Sequence, residues 1–538
     1  METMSSLISR IGEELRSPEL AERIKKIFEK AGIPWDLNPT DLDINRFEAV
    51  ANSMIEELDP SEGRLVYGKL LEKLRECGSR LPEILEEKVF PEKLPPEKRK
   101  ESFGEIVLHV DPEEAAEEAK RCLRCRNPRC VEACPLHFPV PSFLKLTAEK
   151  KFDNACRIFL SLIPTPATCS RICIGYCEEA CTLNQLAGKP VKIRNVKRAI
   201  SEVTDASENL PKPRPHTGLK IAVVGSGPAG LTAAYHLRLL GHYVTVFEAS
   251  DRIGGMLIDA IPEFRLPSRV VEKELELLRI LGIEFKPKTL IGRDLMIDDL
   301  FNQGYHAIFI ATGGGEPLVP KIPGLELKGV HMALDLLRKV KRGEHVDISG
   351  KVWVIGGGDV AMDVARTALR LGVEEVKIMY RRSRREMPAD EKEIDATLEE
   401  GIEIVFLTQP IELIGEEGRL KKIKCVKMRL GEPGPDGRRV PIPIPGSEFE
   451  VDADHVIFAI GGRPSTKWIR EEDGIELTGR GLIKVDEKLA TSRPGVFAGG
   501  DVVRGLSTYT IATADGIKAA KEIDRYLRAQ RYSKTTIT

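Results

Sequence analysis

The chain has 538 residues, 42% of them hydrophobic and 30% charged, with a formal net charge of −2. That length predicts about three or four domains with several cores, and so small a net charge gives no electrostatic case for nucleic acid or an acidic membrane surface. No apolar run approaches the roughly 20 residues of a membrane span, and the amino-terminal METMSSLISRIGEELR lacks the apolar centre of a signal peptide, so the expected compartment is the cytoplasm.

Residues 1–98 read as a helical extension. PELAERIKKIFEKAGI and EGRLVYGKLLEKLREC both place apolar residues three and four apart, which gives each helix one buried stripe. The extension is expected to pack against the rest of the chain or against a partner subunit. Cys77 stands alone here and reads as a small buried hydrophobe. PEKLPPEK, residues 91–98, is a proline-rich charged linker that marks a boundary.

Eight of the eleven cysteines then form two groups at short spacings between Cys122 and Cys181. EEAAEEAKRCLRC, residues 113–125, reads as a helix leading into Cys122-x2-Cys125-x4-Cys130-x3-Cys134-Pro135. The second group is Cys169-x3-Cys173-x3-Cys177-x3-Cys181. In a chain without a secretion signal, such clustering reads as metal ligation rather than disulfides. Zinc sites favour two-residue gaps within ligand pairs. The longer gaps here favour thiolates around an iron–sulfide cubane. A proline after the last cysteine of the first group is similar to the bacterial ferredoxin run, in which the fourth cysteine serves the other cluster. Cys156 lies in a helical pattern, residues 154–162, and reads as core.

A linker with three prolines, residues 207–217, leads into KIAVVGSGPAGLTAAYHLRLLGHYVTVFE, residues 220–248. An apolar strand is followed by Gly225, Gly227 and Gly230 in G-x-G-x-x-G spacing, then by a helix, a second strand and Glu248. The first glycine permits the tight turn, the second lets a pyrophosphate reach the backbone, and the third lets helix and strand pack closely. The helix directs free N–H groups at the phosphates, and Glu248 can accept hydrogen bonds from a ribose. IFIATG, residues 308–313, and its repeat VIFAIG, residues 456–461, are buried strands running into glycines, as expected where the chain crosses between two nucleotide domains. Between them a second strand, residues 351–355, opens Gly356-x-Gly358-x-x-Ala361 and a helix to Leu371. The next strand ends in Arg381, Arg382, Ser383, Arg384 and Arg385. Guanidiniums at that position suit a 2′-phosphate, where an NAD site wants a carboxylate, so NADPH is expected over NADH. No C-x-x-C occurs in either nucleotide segment, which argues against a disulfide reductase of the thioredoxin reductase type.

Taken together, AKRCLRC…CVEACP, SRICIGYCEEAC, the glycine fingerprint, IGGML, IPEFRLP, YRRSRREMPA and AGGD resemble the small (β) subunit of NADPH-dependent glutamate synthase. Its relatives include archaeal homotetrameric glutamate synthase-like proteins, the large subunit of NADH-dependent ferredoxin:NADP oxidoreductase and the electron-entry half of dihydropyrimidine dehydrogenase. The resemblance covers residues 99–528. It implies an α/β fold of two Rossmann-like, glutathione-reductase-like domains for FAD and NADPH, preceded by a helical domain with two [4Fe-4S] clusters. The implied boundaries are 1–98 for the extension, 99–210 for the clusters, 211–335 plus 462–538 for FAD and 336–461 for NADPH.

The same resemblance implies Cys122, Cys125, Cys130 and Cys181 as ligands of one cluster, and Cys134, Cys173 and Cys177 as three ligands of the other. The remaining ligand in relatives is often Gln or Glu on the following helix. Lys197 stands there in this chain, and a protonated lysine cannot ligate iron, so Cys169, one helical turn before Cys173, is the candidate. The glycine loop Arg252-x2-Gly254-Gly255-Met256-Leu257 is implied to lie against FAD, with Ala260 in place of the family's next glycine. Asp501, after Gly500, is implied to bond the flavin's ribityl chain, and the helix starting near Thr508 and Thr510 to face the flavin ring. Further implied cofactor positions are Pro228, Ala229, Ala249, Arg265, Thr312, Gly313, Asp359 (where relatives often have Asn), Val360, Ala459 and Gly461.

The implied traffic is a hydride from NADPH to FAD, then single electrons through the clusters. That chemistry needs no side-chain acid or base, so no catalytic residue is named. The implied partners are ferredoxin or a separate redox subunit, within an oligomer or a larger complex. Three destinations follow: a glutamate synthase-like enzyme, an electron-bifurcating NAD(P)H:ferredoxin oxidoreductase, or the entry subunit of a hydrogenase- or formate dehydrogenase-type complex.

Overall fold

The computed structural model describes residues 3–87, 93–464 and 466–535; the first two residues of the 91–98 linker lie outside them. The chain forms two compact units, Met1–Pro91 with His109–Pro211, and Glu92–Leu108 with Lys212–Thr538. Residues 92–108, which the sequence reading divides between extension and cluster domain, cluster with the nucleotide-binding body.

The first unit is helical. Its long amino-terminal helices Pro18–Lys30 and Pro60–Glu76 start where the sequence supplies both a proline in the first turn and a capping side chain. Asp59 accepts from the backbone N–H groups of Ser61 (2.8 Å) and Glu62 (3.0 Å). The predicted stripes are buried: Leu20, Ile24, Ile27 and Phe28 on one helix, Val66, Tyr67, Leu70 and Leu74 on the other. Helices Ile44–Glu57 and Pro60–Glu76 pack on Thr182–Ala187, the helix that follows Cys181. Arg126 N donates to Glu48 Oε1 (3.1 Å), and Arg121 Nε to the Leu85 carbonyl (3.2 Å). The extension is therefore built onto the cysteine-bearing segment. Cys77 is half-buried at a helix end rather than in the core, whereas Cys156 is buried as expected.

The helix expected over 113–125 stops at Lys120. Arg121 turns inward there, pairs with Glu118 at 2.5 Å and donates to the carbonyls of Lys189 and Pro190. Cys122 and Cys125 consequently sit on irregular chain, free to converge with distant cysteines.

The second unit holds two five-stranded parallel sheets. One runs Val496–Ala498, Ala307–Ile310, Lys220–Val224, Tyr243–Phe247, Glu284–Lys286; the other runs Val330–Met332, His455–Phe458, Lys351–Ile355, Glu375–Tyr380, Glu403–Phe406. Their central strands are largely apolar because both faces are covered, one face of the second sheet by antiparallel strands. The repeats around residues 308 and 456 are inner strands of these sheets. Just beyond each, Glu316–Pro317 and Gly462–Arg463 pair antiparallel, so the two crossings between the nucleotide-binding halves run side by side. An antiparallel sheet of Thr408–Glu416, Arg419–Pro433, Arg439–Pro443 and Phe449–Asp452 is added to the second half. Among the described residues no helix is long and apolar enough to cross a membrane.

Candidate functional site: cysteine cages and two dinucleotide turns

In the first unit the eight motif cysteines occupy two neighbourhoods. Cys122, Cys125, Cys130 and Cys181 wall one cavity, with Thr182 beside them. Cys134, Cys169, Cys173 and Cys177 form the other, all four within electrostatic reach of Lys197. Cys169 lies on the helix Pro166–Ile172, and Cys173 N donates to its carbonyl at 3.1 Å, so the two side chains are one turn apart. Cys130 also feels Cys177, so the two neighbourhoods adjoin.

These donors fit iron–sulfur clusters. Burial pushes the thiols of Cys122 and Cys177 up to about 12. Thiols held that high ionise together only around a metal centre. A hydrogen bond with Cys169 holds Cys173 down at about 6, burial opposing it. Gly175 N also points at Cys173 Sγ (3.5 Å), the kind of N–H···S contact that tunes a cluster. A single ion needs its ligands about 2.3 Å from one point. Among the described residues, no group of three or more His, Cys, Asp or Glu side chains is disposed to hold one.

In the second unit the flavin-side residues converge at the carboxyl ends of the first sheet's strands, where open parallel sheets bind ligands. Gly225 has φ +101°, and a Cβ there would lie 2.4 Å from the Ala311 carbonyl. A Cβ on Gly230 would lie 2.0 Å from the Gly225 carbonyl. Around Gly227, in contrast, a Cβ would meet nothing within 4 Å, so the helix Pro228–Leu239 opens onto free space. Gly255 closes one side of that space, its Cβ position 3.1 Å from Gly227 Cα, and Gly500 another, 3.0 Å from Ala229 Cβ. Met256 and Leu257 start the short turn after Gly255, and Thr508 and Thr510 lie at the start of the helix Tyr509–Thr535.

The arrangement fits a dinucleotide. The space at Gly227 is open, and Thr312 Oγ1, next to Gly313, is buried without a hydrogen-bond partner among the described residues. Glu248 is held at its strand end by Ser226 N (3.0 Å), Ser226 Oγ (2.5 Å) and Ser250 N (2.9 Å). Asp501 is fixed by Ser507 Oγ (2.6 Å), and burial raises its carboxyl pKa. Arg252 reaches Ser268 Oγ and the Lys341 carbonyl, each at 3.4 Å, and Ala249 is exposed. Arg265 grips both oxygens of Asp363 at 2.8 and 2.7 Å. Two organising residues were missed by sequence reasoning. Ser226 bridges Glu248 to Gly254 N (2.9 Å), and Asp515 accepts from Gly500 N (2.9 Å) while pairing with Arg504. Neither belongs to a spacing pattern.

The second turn repeats the plan. A Cβ on Gly356 would lie 2.3 Å from the Ala459 carbonyl, Gly358 has only Pro388 nearby, and Ala361 is buried in the helix Asp359–Arg370 behind it. Val360 is half-buried in the first turn, and Gly461 follows the Ala459 strand end. Asp359 accepts from Asp390 N (3.0 Å), and burial raises its carboxyl pKa. The strand-end arginines separate into two kinds. Arg382 is buried and donates to the Arg439 carbonyl (2.8 Å), and Arg384 is taken by Glu391 and Asp395. Arg381 and Arg385 are exposed and have no ion pair among the described residues. Partial burial and then the Arg382 charge lower the Arg381 pKa, so an anion there would offset a crowded cation.

Residues 219–516 match the family model for pyridine nucleotide-disulphide oxidoreductases, and residues 99–209 match that for dihydropyrimidine dehydrogenase domain II with its 4Fe-4S cluster. The chain is 38% identical to the glutamate synthase [NADPH] small chain of Halomonas elongata over 81% of its length and 96% of the relative's. The chain belongs to the glutamate synthase small-chain family. To the Escherichia coli small chain it is 37% identical, over 82% of its length and 97% of the relative's. To the NADP(+)-dependent formate dehydrogenase subunit beta of Moorella thermoacetica it is 38% identical, over 76% and 61%. Among solved structures, FprA from Mycobacterium tuberculosis (His57Gln mutant) matches with TM-score 0.50 at 19% identity, over 60% of this chain and 86% of that one, a likeness of fold. As a member of this family the protein is an oxidoreductase whose cofactors are FAD, NADPH and [4Fe-4S] iron–sulfur centres.

Proposed function

We propose that the protein is the electron-entry subunit of a redox complex, oxidising NADPH and delivering electrons one at a time to a partner subunit or ferredoxin. The observation that carries this reading is the pairing, in one chain, of an open dinucleotide turn at Gly227 with two groups of four cysteines, one half-buried around a cavity and one buried. FAD supplies the exchange between hydride and single-electron chemistry, and iron–sulfur clusters supply one-electron relays.

This chain's residues position rather than react. Gly225, Gly227 and Gly230 let the flavin pyrophosphate reach the N-terminus of the Pro228–Leu239 helix, and Glu248 receives a ribose hydroxyl. Thr312, Asp501 and the Thr508–Thr510 helix start complete the flavin contacts. Gly356, Gly358 and Ala361 do the same for NADPH, with Arg381 and Arg385 on its 2′-phosphate. Cys122, Cys125, Cys130 and Cys181 hold one cluster; Cys134, Cys169, Cys173 and Cys177 hold the second. The extent of the match to small chains favours a glutamate synthase-type partner. The formate dehydrogenase β relative supports a second reading, entry to a dehydrogenase or hydrogenase complex. Free cysteines and NADPH chemistry support a cytoplasmic location.

Anaerobically reconstituted protein should contain about eight irons and one FAD, and NADPH should bleach the flavin faster than NADH. Zinc in place of iron, or bleaching by NADH alone, would sink the reading. Replacing Arg381 by alanine should raise the KM for NADPH about 10–100-fold, since a charge-assisted hydrogen bond contributes about 1.5–3 kcal/mol. The KM for NADH should be unchanged in steady-state dye reduction; an equal loss with both nucleotides would remove Arg381 from the 2′-phosphate site.

A further inference from the structure

Lys197 is 3% exposed, on the helix Ile193–Val203. Its Nζ lies 3.8 Å from the centroid of the Phe138 ring and 5.2 Å from that of Phe159. Phe138 and Phe159 pack edge to face on each other and on Phe143, with centroids 5.2–5.8 Å apart and no solvent exposure. The other cations of this helix have carboxylates: Arg194 pairs with Glu178 and Arg198 with Glu202. Lys197 has none among the described residues. Burying an unpaired ammonium is unfavourable, and cation–π contact offsets only part of that cost. The thiol groups that act on it most strongly are Cys169, Cys177, Cys173 and Cys134. The helix packs directly on Pro166–Ile172, which carries Cys169, and on Tyr176–Glu179, which carries Cys177.

We propose that Lys197 is a positioning residue that acts through its charge: the ammonium is the fixed counter-ion of the cluster held by Cys134, Cys169, Cys173 and Cys177, and it raises that cluster's reduction potential. The inference rests on the two-cluster reading above. A cubane bound by four thiolates is an anion, and each added electron makes it more so. An ammonium held beside it by two apolar rings, with no carboxylate among the described residues to neutralise it and little water to screen it, stabilises the reduced form more than the oxidised one. The second cluster is thereby easier to reduce than the same cage would be without the lysine. At the first cage, Arg121, the buried cation that acts on Cys181, is already paired with Glu118.

The test compares wild type, Lys197→Met and Lys197→Arg by iron content and by an EPR-monitored redox titration of each cluster. In Lys197→Met the iron content should hold at wild-type level. The reduced-to-oxidised ratio of the second cluster at a fixed poise should fall about tenfold, equal to about 59 mV for one electron, with the first cluster unmoved. Lys197→Arg, which keeps the charge and changes the shape, should titrate within about threefold of wild type. A Met variant that titrates with wild type overturns the proposal. If the Met variant loses the second cluster's irons and the Arg variant keeps them, the charge is needed even to hold the anion, which supports it. If both lose them, the lysine is packing and the proposal falls. A wild-type protein with only about four irons would defeat the two-cluster reading itself, a failure visible before any variant is made.

Discussion

Gly230→Ala should yield protein that purifies with less than about a tenth of the wild-type FAD and a lowered melting temperature even without cofactor. The new methyl would stand 2.0 Å from the Gly225 carbonyl oxygen and 3.1 Å from its carbon. Both are backbone atoms of the turn, so no side chain can rotate away. Relief requires the Pro228–Leu239 helix to lift off the strand Lys220–Val224, at an overpacking cost of about 1–3 kcal/mol or more. Gly227→Ala supplies the discriminating comparison. Gly227 has φ −71° and ψ −178°, which any residue adopts, and its Cβ would point into open space. The apo protein should therefore melt with wild type while its FAD affinity falls about 5–100-fold, because the methyl takes the room of the pyrophosphate. Thermal melts with and without FAD, together with flavin titration, separate the two. If both variants behaved alike, the division between a packing glycine and a phosphate glycine would be wrong.

That division could be read before any coordinates because backbone geometry forces it: a strand that turns into a helix over a phosphate needs glycines at those offsets, whatever surrounds it. The cysteine spacing was legible for the same local reason. Placing Cys169 within one turn of Cys173 needed only a helix, and the structure supplies one. What depended on distant chain was not legible. The arginines after Glu375–Tyr380 are equivalent in sequence. Only the antiparallel insertion, which the apolar pattern did not announce, draws Arg382 back onto Arg439 and leaves Arg381 and Arg385 outside. The helical period of residues 113–125 runs on past Lys120, but the inward turn of Arg121 onto carbonyls some 70 residues away ends it. Arg265 is named for the cofactor set by its motif, and the neighbours it pairs with, Asp363 and Glu393, come from the other nucleotide-binding half.

Those neighbours belong to a buried chain of charges, and cutting it at Glu400 should destabilise the second unit. Asp363, Arg265, Glu393, Arg366, Glu400 and Arg370 alternate in sign. Glu400 accepts from Arg366 Nε (3.1 Å) and Nη2 (2.8 Å) and from Arg370 Nη1 (2.7 Å), with all three side chains 0% exposed. The Phe264 ring lies 4.9 Å from the Arg366 guanidinium and 4.1 Å from that of Arg370, so the network joins the flavin-side loop to the NADPH-side helices. Glu400→Gln would leave two buried guanidiniums facing a neutral amide. Breaking a buried pair by removing one partner costs about 3–5 kcal/mol, which lowers the melting temperature by about 4–7 °C in a unit this size. Burial pushes the Glu400 carboxyl up, but hydrogen bonds from Arg370 and Arg366 outweigh it and hold the pKa below 4.5. A carboxyl depressed in the folded state contributes stability in full above its unfolded value and loses it as pH falls toward the folded one. Wild type should therefore weaken on acidification below about pH 4.5 more steeply than the Gln variant, whose position 400 no longer titrates. A Gln variant that melts within about 2 °C of wild type at pH 7 would mean that the paired guanidiniums find water when the carboxylate goes. The two nucleotide-binding halves would then be held by their strand crossings rather than by this network.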